Sequence, residues 1–361
     1  MSPSANAGPL LLDVRGLTVE FHRGRGSPAL RAVDGVDLSI AARETVGLVG
    51  ESGSGKSTIG RAILGLTPIK EGSVSFAGVD ITRASYRARR RLSADLQVVF
   101  QDPYSSLNPT RTIGQTLAEP LRVHGRPERA VVAERVALTL ERVGLPSDAA
   151  DRFPAQFSGG QRQRIAIARA LMTQPQLVIC DEPVSALDLS VQAQVLNLLR
   201  DLQDELKLSY LLISHDLAVV RHLSHRIVVL YRGRVMEQGS AATISGNPAH
   251  PYTQALLQAV PVPDPAVQRG RAATRPSRVA HVAVPENACP FAPRCEHAIE
   301  ICRSNRPYLE PTPDGSLVAC HRWQDVRGLA VAATDAVKTQ GGPARAGPAM
   351  RPLPAVEAHE N

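Results

Sequence analysis

A glycine-rich segment that ends in lysine and two hydroxyl residues has the spacing with the clearest chemistry in this sequence. The segment comprises Gly50, Glu51, Ser52, Gly53, Ser54, Gly55, Lys56, Ser57 and Thr58. Glycines allow consecutive backbone amides to point at one anion, and the N-terminus of a following helix favours negative charge. The segment predicts a phosphate-binding loop in which Lys56 reaches the β- and γ-phosphates of a nucleotide and the Ser57 hydroxyl ligates Mg²⁺. The alternative is a flexible turn that matches by chance, although lysine occurs only four times in the chain.

A pair of acidic residues, Asp181 and Glu182, follows the short apolar run 177–180. A buried strand with this ending would bring Asp181 to the Mg²⁺ and Glu182 to the water that attacks the γ-phosphate. Taken alone, an apolar run that ends in two acids is a common strand end. The phosphate-binding loop in the same chain favours the catalytic interpretation.

A second segment with anion-binding chemistry contains Ser158, Gly159 and Gly160, and it precedes a helix that we expect to begin near Gln161. The N-terminus of such a helix, with a hydroxyl donor beside it, would bind a second anion. One chain thus carries two phosphate-recognising elements.

Short apolar runs and helical stretches, alternating up to about residue 240, are the elements that must position these side chains, and they predict an α/β fold. Three runs are short enough to be buried parallel strands: residues 44–49, 177–180 and 210–213. Two segments predict hairpins, 72–81 with a turn at Ala77-Gly78 and 226–239 with a turn at Arg232-Gly233. A polar region with helical propensity spans residues 112–150.

The composition changes after Gly246, because sixteen of the 28 prolines and four of the five cysteines lie beyond it. We therefore expect a small extension after the main domain, followed by a disordered tail rich in Ala, Gly and Pro. The predicted regions are an N-terminal tail 1–9, a nucleotide-binding domain 10–246 with a helical subdomain at about 103–172, an extension 247–328 and the tail 329–361.

The net charge of +7 and the sequence pI of about 9.5 raise the question of a nucleic-acid partner. Only four of the 41 basic residues are lysine, and the arginines are spread along the chain, with one tight run in residues 87–91. We expect no nucleic-acid partner, and a basic binding patch is the alternative. No window approaches the ~18 apolar residues of a membrane-spanning helix, and residues 1–8 lack the features of a secretory signal. We therefore expect a soluble chain inside the cell.

Further motifs in a fixed order make the sequence similar to the ATP-binding subunits of ABC transporters. Residues 157–164 resemble the signature motif of that family, with Phe157 where leucine is commonest. Phe100-Gln101-Asp102 resembles the Q-loop, residues 185–188 resemble the D-loop, and His215 resembles the switch histidine. The resemblance implies an α/β P-loop ABC ATPase cassette, with a RecA-like parallel core, an antiparallel β subdomain and a helical subdomain.

The resemblance also implies a role for each motif residue. Glu182 would be the general base, and His215 would contact the γ-phosphate of ATP. Ser57, Gln101 and Asp181 would surround Mg²⁺. Two chains would pack head-to-tail, so that the signature of one closes the P-loop site of the other. The implied ATP-binding residues are Phe21 under the adenine (with His22 as the alternative), Gly50, Ser52, Gly53, Gly55, Lys56, Ser57, Thr58, Ser158, Gly159, Gly160, Gln161 and Asp188.

Two segments resemble the oligopeptide and dipeptide importer branch of the family. One is the Q-loop region 98–109, and the other is His250-Pro251-Tyr252-Thr253, which resembles the opening of the C-terminal extension of that branch. The sequence is more similar to the subunit usually called F than to the one called D. The resemblance implies two multi-spanning permease subunits, a second ATP-binding chain in a heterodimer, an extracytoplasmic substrate-binding protein that acts indirectly, and a peripheral position on the cytoplasmic face of the membrane.

Four cysteines of the extension, Cys289, Cys295, Cys302 and Cys320, form a candidate metal-ligand set. A disulfide framework is not expected in the reducing cytosol. Structural zinc usually requires two cysteines two to four residues apart, and none are so spaced here. Four thiolates suit an iron–sulfur cluster, and the resemblance implies a [4Fe–4S] centre; zinc and the absence of metal are the alternatives. Cys180, in an apolar run, is expected to be a small buried residue.

The functional prediction is an ATP-hydrolysing importer subunit that drives peptide uptake. The alternative is an ABC-type ATPase that acts on DNA or the ribosome, and relatives of that kind carry two cassettes or a long coiled coil. Here Phe157 follows Gln101 by only 56 positions and no heptads lie between them. The complete set of catalytic residue types argues against a cassette without turnover. The cargo stays open among dipeptides, longer peptides, glutathione, nickel chelates and sugars.

Overall fold

The computed structural model describes residues 10–22, 29–102, 104, 106–125, 128–259 and 284–327. The two predicted tails, 1–9 and 329–361, lie outside the described residues. The same holds for the segment 23–28, which follows the predicted adenine platform.

Two sheets form the framework of the described residues. The strands in chain order are β1 (Leu10–Phe21), β2 (Leu30–Ala41), β3 (Thr45–Val49), β4 (Glu71–Phe76), β5 (Val79–Asp80), β6 (Leu96–Val99), β7 (Leu177–Asp181), β8 (Ser209–Ser214), β9 (Arg226–Tyr231), β10 (Arg234–Ser240), β11 (Glu310–Pro311) and β12 (Leu317–Val318). The larger sheet has the order β11-β12-β10-β9-β3-β8-β7-β6, and the smaller one has the order β2-β1-β4-β5.

The centre of the larger sheet is parallel. β3 pairs with β8 and β9, and β7 pairs with β8 and β6, all in parallel. Every residue of β3, β7 and β8 is buried, as expected for strands that are covered on both faces. The three apolar runs that were predicted as parallel strands are thereby confirmed. Their carboxyl ends lie at one edge of the sheet, where ligands bind in open α/β folds.

Both predicted hairpins are present. β4 pairs with β5, and β9 pairs with β10, both antiparallel. The connecting residues Ala77, Gly78, Arg232 and Gly233 all have positive φ, with values of 49°, 79°, 46° and 79°. Such turns match the right-handed twist of the flanking strands.

The helices cover both faces of the larger sheet. In chain order they are α1 (Lys56–Ile63), α2 (Tyr86–Leu92), α3 (Ile113–His124), α4 (Arg129–Arg142), α5 (Gly159–Leu171), α6 (Leu189–Leu206), α7 (Leu217–Leu223), α8 (Ala241–Gly246), α9 (Pro251–Ala259) and α10 (Glu300–Ser304). The region predicted as helical, 112–150, contains α3, α4 and the start of a 3₁₀ helix at Ser147–Asp151. No helix in the described ranges is long and apolar enough to cross a bilayer.

Two hydrophobic cores lie on opposite faces of the larger sheet, because side chains alternate along each strand. On β7, Leu177 and Ile179 join α1 and the smaller sheet in one core. Val178 and Cys180 join α5, α6 and α7 in the other. Cys180 is fully buried, as predicted, and burial raises the pKa of its thiol to about 12.

The C-terminal extension adds strands to the same sheet. β12 pairs antiparallel with β10 through Glu237–Val318 and Gln238–Leu317, and β11 pairs with β12. The buried Glu237 carboxylate accepts the N–H of Ala249 at 2.6 Å and the N–H of His250 at 3.1 Å. Burial raises the pKa of Glu237, and these donors act in the opposite direction. The boundary at 246/247 stays a prediction.

Candidate ATP-binding and hydrolysis site

The phosphate-binding loop connects β3 to α1, as its motif requires. Gly55 is the N-cap residue of α1 and has φ 103°, a conformation that side-chain-bearing residues rarely adopt. A Cβ atom on Gly50 would lie 2.0 Å from the backbone oxygen of Leu230. Both positions therefore require glycine, one for its backbone conformation and the other for its closeness to β9.

Lys56 is buried at the first position of α1, with 4% of its surface exposed. Its Nζ donates to the carbonyl oxygens of Gly50 at 2.7 Å and Glu51 at 2.9 Å. Burial lowers the pKa of Lys56, while the charges of Glu182, Asp181 and Glu51 raise it. The loop thus holds an ammonium group among three carboxylates, where it can balance the charge of a bound phosphate chain.

Ser57 and Asp181 join the loop to the acidic strand end. Ser57 Oγ donates to Asp181 Oδ1 at 2.7 Å. Asp181 is the last residue of β7 and is buried; burial raises its pKa, while the Ser57 hydrogen bond lowers it. A hydroxyl and a carboxylate are ligands of the type that Mg²⁺ takes in nucleotide sites, where phosphates and waters complete its shell. The pair therefore fits the predicted metal site in its chemistry.

Glu182 and His215 face each other at the ends of β7 and β8. His215 Nδ1 lies 3.4 Å from Glu182 Oε2. Glu182 has φ 50°, a left-handed conformation that costs of order 1–3 kcal/mol in a residue other than glycine. Its N–H donates to the backbone oxygen of Ile213 at 2.9 Å, which holds this turn against β8. The strained turn places a carboxylate that is only 14% exposed next to an imidazole that is 50% exposed.

Gln101 follows the end of the neighbouring strand, β6, at the same edge of the sheet. β6 pairs with β7 through Val99–Cys180, so Gln101 and Glu182 both lie two residues beyond paired positions. The Gln101 side chain is exposed. Phe21, the predicted adenine platform, ends β1 with 42% of its surface exposed. The alternative, His22, is also exposed.

The second predicted anion-binding element begins α5. Ser158 is its N-cap: the Ser158 hydroxyl accepts the N–H of Gln161, and the Gln161 side chain accepts the N–H of Ser158. This capping box begins the helix at Gly159, two residues before the predicted start at Gln161. A Cβ atom on Gly160 would lie 2.4 Å from Val191 Cγ1, so α5 passes close to α6. Asp188 caps α6 by accepting the N–H groups of Ser190 and Val191.

Two protein-family models match the chain. One is described as ABC transporter and covers residues 33–185, and the other is the oligopeptide/dipeptide transporter C-terminal region over residues 236–302. A putative peptide import ATP-binding protein of Brucella ovis is 48% identical over 312 residues, which are 86% of this chain and 98% of that protein. The chain belongs to the ABC transporter ATP-binding proteins.

Other relatives agree with that assignment. The oligopeptide transport ATP-binding protein OppF of Salmonella typhimurium is 46% identical over 314 residues, which are 83% of this chain and 93% of that protein. A dimeric structure of the ATP-binding cassette MJ0796 in a post-hydrolysis state, bound to ADP and Pi, matches with a TM-score of 0.58 and 29% identity. The match covers 64% of this chain and 98% of the MJ0796 chain. The ABC cassette fold and the oligopeptide/dipeptide branch, both predicted from the sequence, are confirmed.

Sequence reasoning missed three residues that shape the phosphate-binding loop of this ABC protein. The phenol oxygen of Tyr252 accepts the N–H of Glu51 at 2.9 Å, and Arg294 Nη1 lies 2.8 Å from Glu51 Oε2. Glu51 occupies a variable position of the loop motif. Arg294 belongs to no recognisable motif, and many other arginines are spread along the chain. Tyr252 belongs to a segment that the sequence singled out, but only as a mark of the branch.

The four cysteines of the extension line one small cavity in this ABC protein. His250 and Phe291 line it as well. Burial raises the pKa values of the Cys289, Cys295 and Cys320 thiols, to about 11 for Cys295 and about 12 for Cys320. No group of three or more His, Cys, Asp or Glu side chains in the described part of the chain is arranged so that it could hold a metal ion. The thiols are thus neighbours without a formed ligand geometry, and the predicted [4Fe–4S] centre stays a prediction.

Proposed function

We propose that this chain is the ATP-hydrolysing motor subunit of an ABC importer that takes up di- or oligopeptides. The observation that carries the proposal is the Ser57–Asp181 hydrogen bond of 2.7 Å, which joins the phosphate-binding loop to the acidic end of β7. Next to that bond stand Glu182 and His215, 3.4 Å apart. The peptide cargo is supported by the C-terminal family match and by the names of the two relatives.

Hydrolysis in this proposal uses groups at one edge of the sheet. Lys56 and the loop amides bind the β- and γ-phosphates of ATP. Ser57, Asp181 and Gln101 hold Mg²⁺. When bound, Mg²⁺ neutralises phosphate charge and fixes the orientation of the phosphates. Glu182 accepts the proton of the attacking water, and His215 holds that carboxylate and contacts the γ-phosphate, so that ATP and water become ADP and phosphate.

A second cassette completes the site. The signature segment of one chain presents a helix N-terminus whose N-cap residue, Ser158, is exposed. We assign Ser158, Gly159, Gly160, Gln161 and Asp188 to the nucleotide of a partner cassette, while Phe21 contacts the adenine within this chain. The partner is a second ATP-binding chain in a heterodimer. Both lie on the cytoplasmic face of the membrane beneath two multi-spanning permeases, and a substrate-binding protein delivers the peptide outside.

The four cysteines are assigned to a [4Fe–4S] cluster, with zinc as the alternative. Support comes from their number, their softness as ligands and the cavity that they share. Anaerobically purified protein is expected to be brown and to contain about four irons and four sulfides per chain. Colourless protein with one zinc per chain would establish the alternative instead.

The role of Glu182 is tested by Glu182→Gln, which removes the proton acceptor and keeps the shape. We expect ATP binding within about twofold of wild type and hydrolysis slower by about 10²–10⁴-fold. Glu134→Gln is the matched control, because Glu134 is exposed on α4. Turnover of the Glu182 variant at the rate of the control would show that another group is the base.

The importer assignment is tested by gentle solubilisation of cells and identification of the proteins that accompany the chain. We expect two multi-spanning permeases and a second ATP-binding chain. The alternative of an ATPase acting on DNA or the ribosome has no support in the family matches, which place a peptide-transporter region at residues 236–302. Recovery of ribosomal proteins or nucleic acid instead of permeases would revive it.

A further inference from the structure

One residue of the phosphate-binding loop, Glu51, is held by two residues that lie far along the chain. Its N–H donates to the phenol oxygen of Tyr252 at 2.9 Å, across 201 positions of sequence. Its carboxylate accepts from Arg294 Nη1 at 2.8 Å, across 243 positions. Both partners lie beyond the end of β10, Tyr252 in α9 and Arg294 in a 3₁₀ helix at Ala292–Arg294. The C-terminal part of the chain therefore contacts the ATP site directly.

Glu51 is coupled to the lysine that binds phosphate. The carbonyl oxygen of Glu51 accepts from Lys56 Nζ at 2.9 Å, so the backbone of Glu51 is held on both sides. Burial lowers the pKa of Lys56, and the charge of the Glu51 carboxylate acts in the opposite direction. A carboxylate this close to the loop also repels a triphosphate, and because the Glu51 side chain is 42% exposed, water screens that repulsion and keeps it modest. The charge of Arg294 opposes that repulsion.

An aromatic cluster fixes the position of both partners. The rings of Tyr231, Tyr252 and Phe291 are mutually packed, with centroid distances of 4.6, 5.5 and 5.3 Å. All three side chains are buried. The guanidinium carbon of Arg294 lies 5.6 Å from the centroid of Phe291 and 5.8 Å from that of Tyr231, within range of a cation–π interaction. Arg294 is thus positioned before any ligand binds.

We propose that Arg294 is a positioning residue for ATP binding, which neutralises Glu51 and, together with Tyr252, holds the phosphate-binding loop in its binding conformation. The C-terminal extension then forms part of the ATP site, in addition to any role in the four-cysteine centre. The proposal rests on the proposed function because ATP is its ligand. Arg294 does not touch the reacting atoms in this proposal, and it acts through Glu51.

The test is a charge-removal cycle measured by equilibrium titration of ATP with Mg²⁺ and by steady-state hydrolysis. Arg294→Gln leaves the Glu51 carboxylate uncompensated, and we expect ATP affinity to fall about fivefold at low ionic strength, with kcat within about twofold. Arg294→Lys keeps the charge and is expected to retain affinity within about twofold. Glu51→Gln combined with Arg294→Gln removes both charges and is expected to restore affinity to within about twofold of wild type.

Controls separate positioning from folding. Arg303→Gln changes an exposed arginine of the same extension and is expected to bind ATP like wild type. Metal content and thermal unfolding are recorded for every variant, so that a lost centre or a disrupted extension is visible. Unchanged affinity in Arg294→Gln overturns the proposal, and so does a loss that the second substitution fails to restore. If wild-type protein binds ATP without hydrolysing it, the proposed function fails while the binding cycle still decides the role of Arg294.

Discussion

The two helix N-termini that we propose as anion-binding sites, in the phosphate-binding loop and in the signature segment, are built in different ways. The phosphate-binding loop depends on partners 201 and 243 positions away, and its lysine is buried. The signature segment depends on a capping box that closes within three residues, and Ser158 and Gln161 are exposed. The first is a site shaped by the whole fold, whereas the second is a local structure that faces outward. A division of this kind suits a half-site that has to meet another molecule.

The largest effect should come from a methyl group at the tight approach in the phosphate-binding loop. In Gly50→Ala the new Cβ atom would lie 2.0 Å from the backbone oxygen of Leu230. Unlike the end of a flexible side chain, this backbone atom of β9 cannot rotate to make room. We expect ATP affinity to fall by at least about 100-fold, since the loop must shift against β9. Gly246→Ala, where nothing lies within 4 Å, is the matched control in the same binding assay. Near-normal affinity in Gly50→Ala would mean that the loop is less dependent on the fold than we infer.

A smaller effect is expected when one distant support of the loop is removed. Tyr252→Phe deletes the acceptor of the Glu51 N–H and leaves that amide without its partner, at a cost of about 1 kcal/mol. ATP affinity should fall about fivefold, as measured by titration. Tyr308→Phe, at a tyrosine that is 74% exposed, provides the control. If Tyr252→Phe and Tyr308→Phe bind ATP with equal affinity, the phosphate-binding loop does not depend on this distant partner, and it no longer differs from the signature segment in that respect.

A substitution in the signature segment should lower the stability of the protein and leave the ATP affinity of the isolated chain unchanged. Ser158→Ala removes the N-cap of α5 and should lower the free energy of unfolding by about 1 kcal/mol. Affinity for ATP in the isolated chain should stay within about twofold, while hydrolysis in the paired assembly falls. A loss of ATP affinity in the isolated chain as large as that of Tyr252→Phe would show that the signature also serves the site in its own chain.

The smallest effect concerns the cap of α6. The hydrogen bond from Ser190 and the N–H groups of Ser190 and Val191 hold the pKa of Asp188 below its usual value. The folded state therefore favours the carboxylate; this stabilisation is present above the pKa of the unfolded chain and is lost as the pH falls through the lower, folded value. In urea unfolding, the stability difference between wild type and Asp188→Asn should narrow on acidification below about pH 4. A constant difference would contradict this.

The parts of this fold that could be predicted from the sequence are those that neighbours in the chain determine. The buried strands, both hairpins and the strand–loop–helix at the phosphate site follow from short apolar runs and glycine positions. The helix α5 begins at Gly159, two residues before the position predicted near Gln161, because the Ser158–Gln161 capping box sets its start and the glycines between them join the helix. The three-residue spacing of Ser158 and Gln161 is visible in the sequence and predicts such a box.

The contacts of the C-terminal extension could not be predicted in the same way. Arg294 is one of many arginines, and nothing in its neighbours points to Glu51, since the contact depends on the tertiary packing of Phe291 and Tyr231. The pairing of β12 with β10 involves two residues in each strand, which is too short for a periodic pattern. The shared cavity of the four cysteines likewise depends on the path of the chain between them, which their spacing does not fix.

The pairing of β12 with β10 has a consequence for how the protein is made. Residues 317 and 318, which pair with the outer side of β10, are synthesised after the strands β1 to β10 are complete. Until they emerge, the nascent chain carries a strand edge with unpaired backbone groups, of the kind that recruits other chains. Synthesis of β12 therefore covers the exposed edge of β10. A polypeptide that ends at residue 246 lacks β12 and should aggregate.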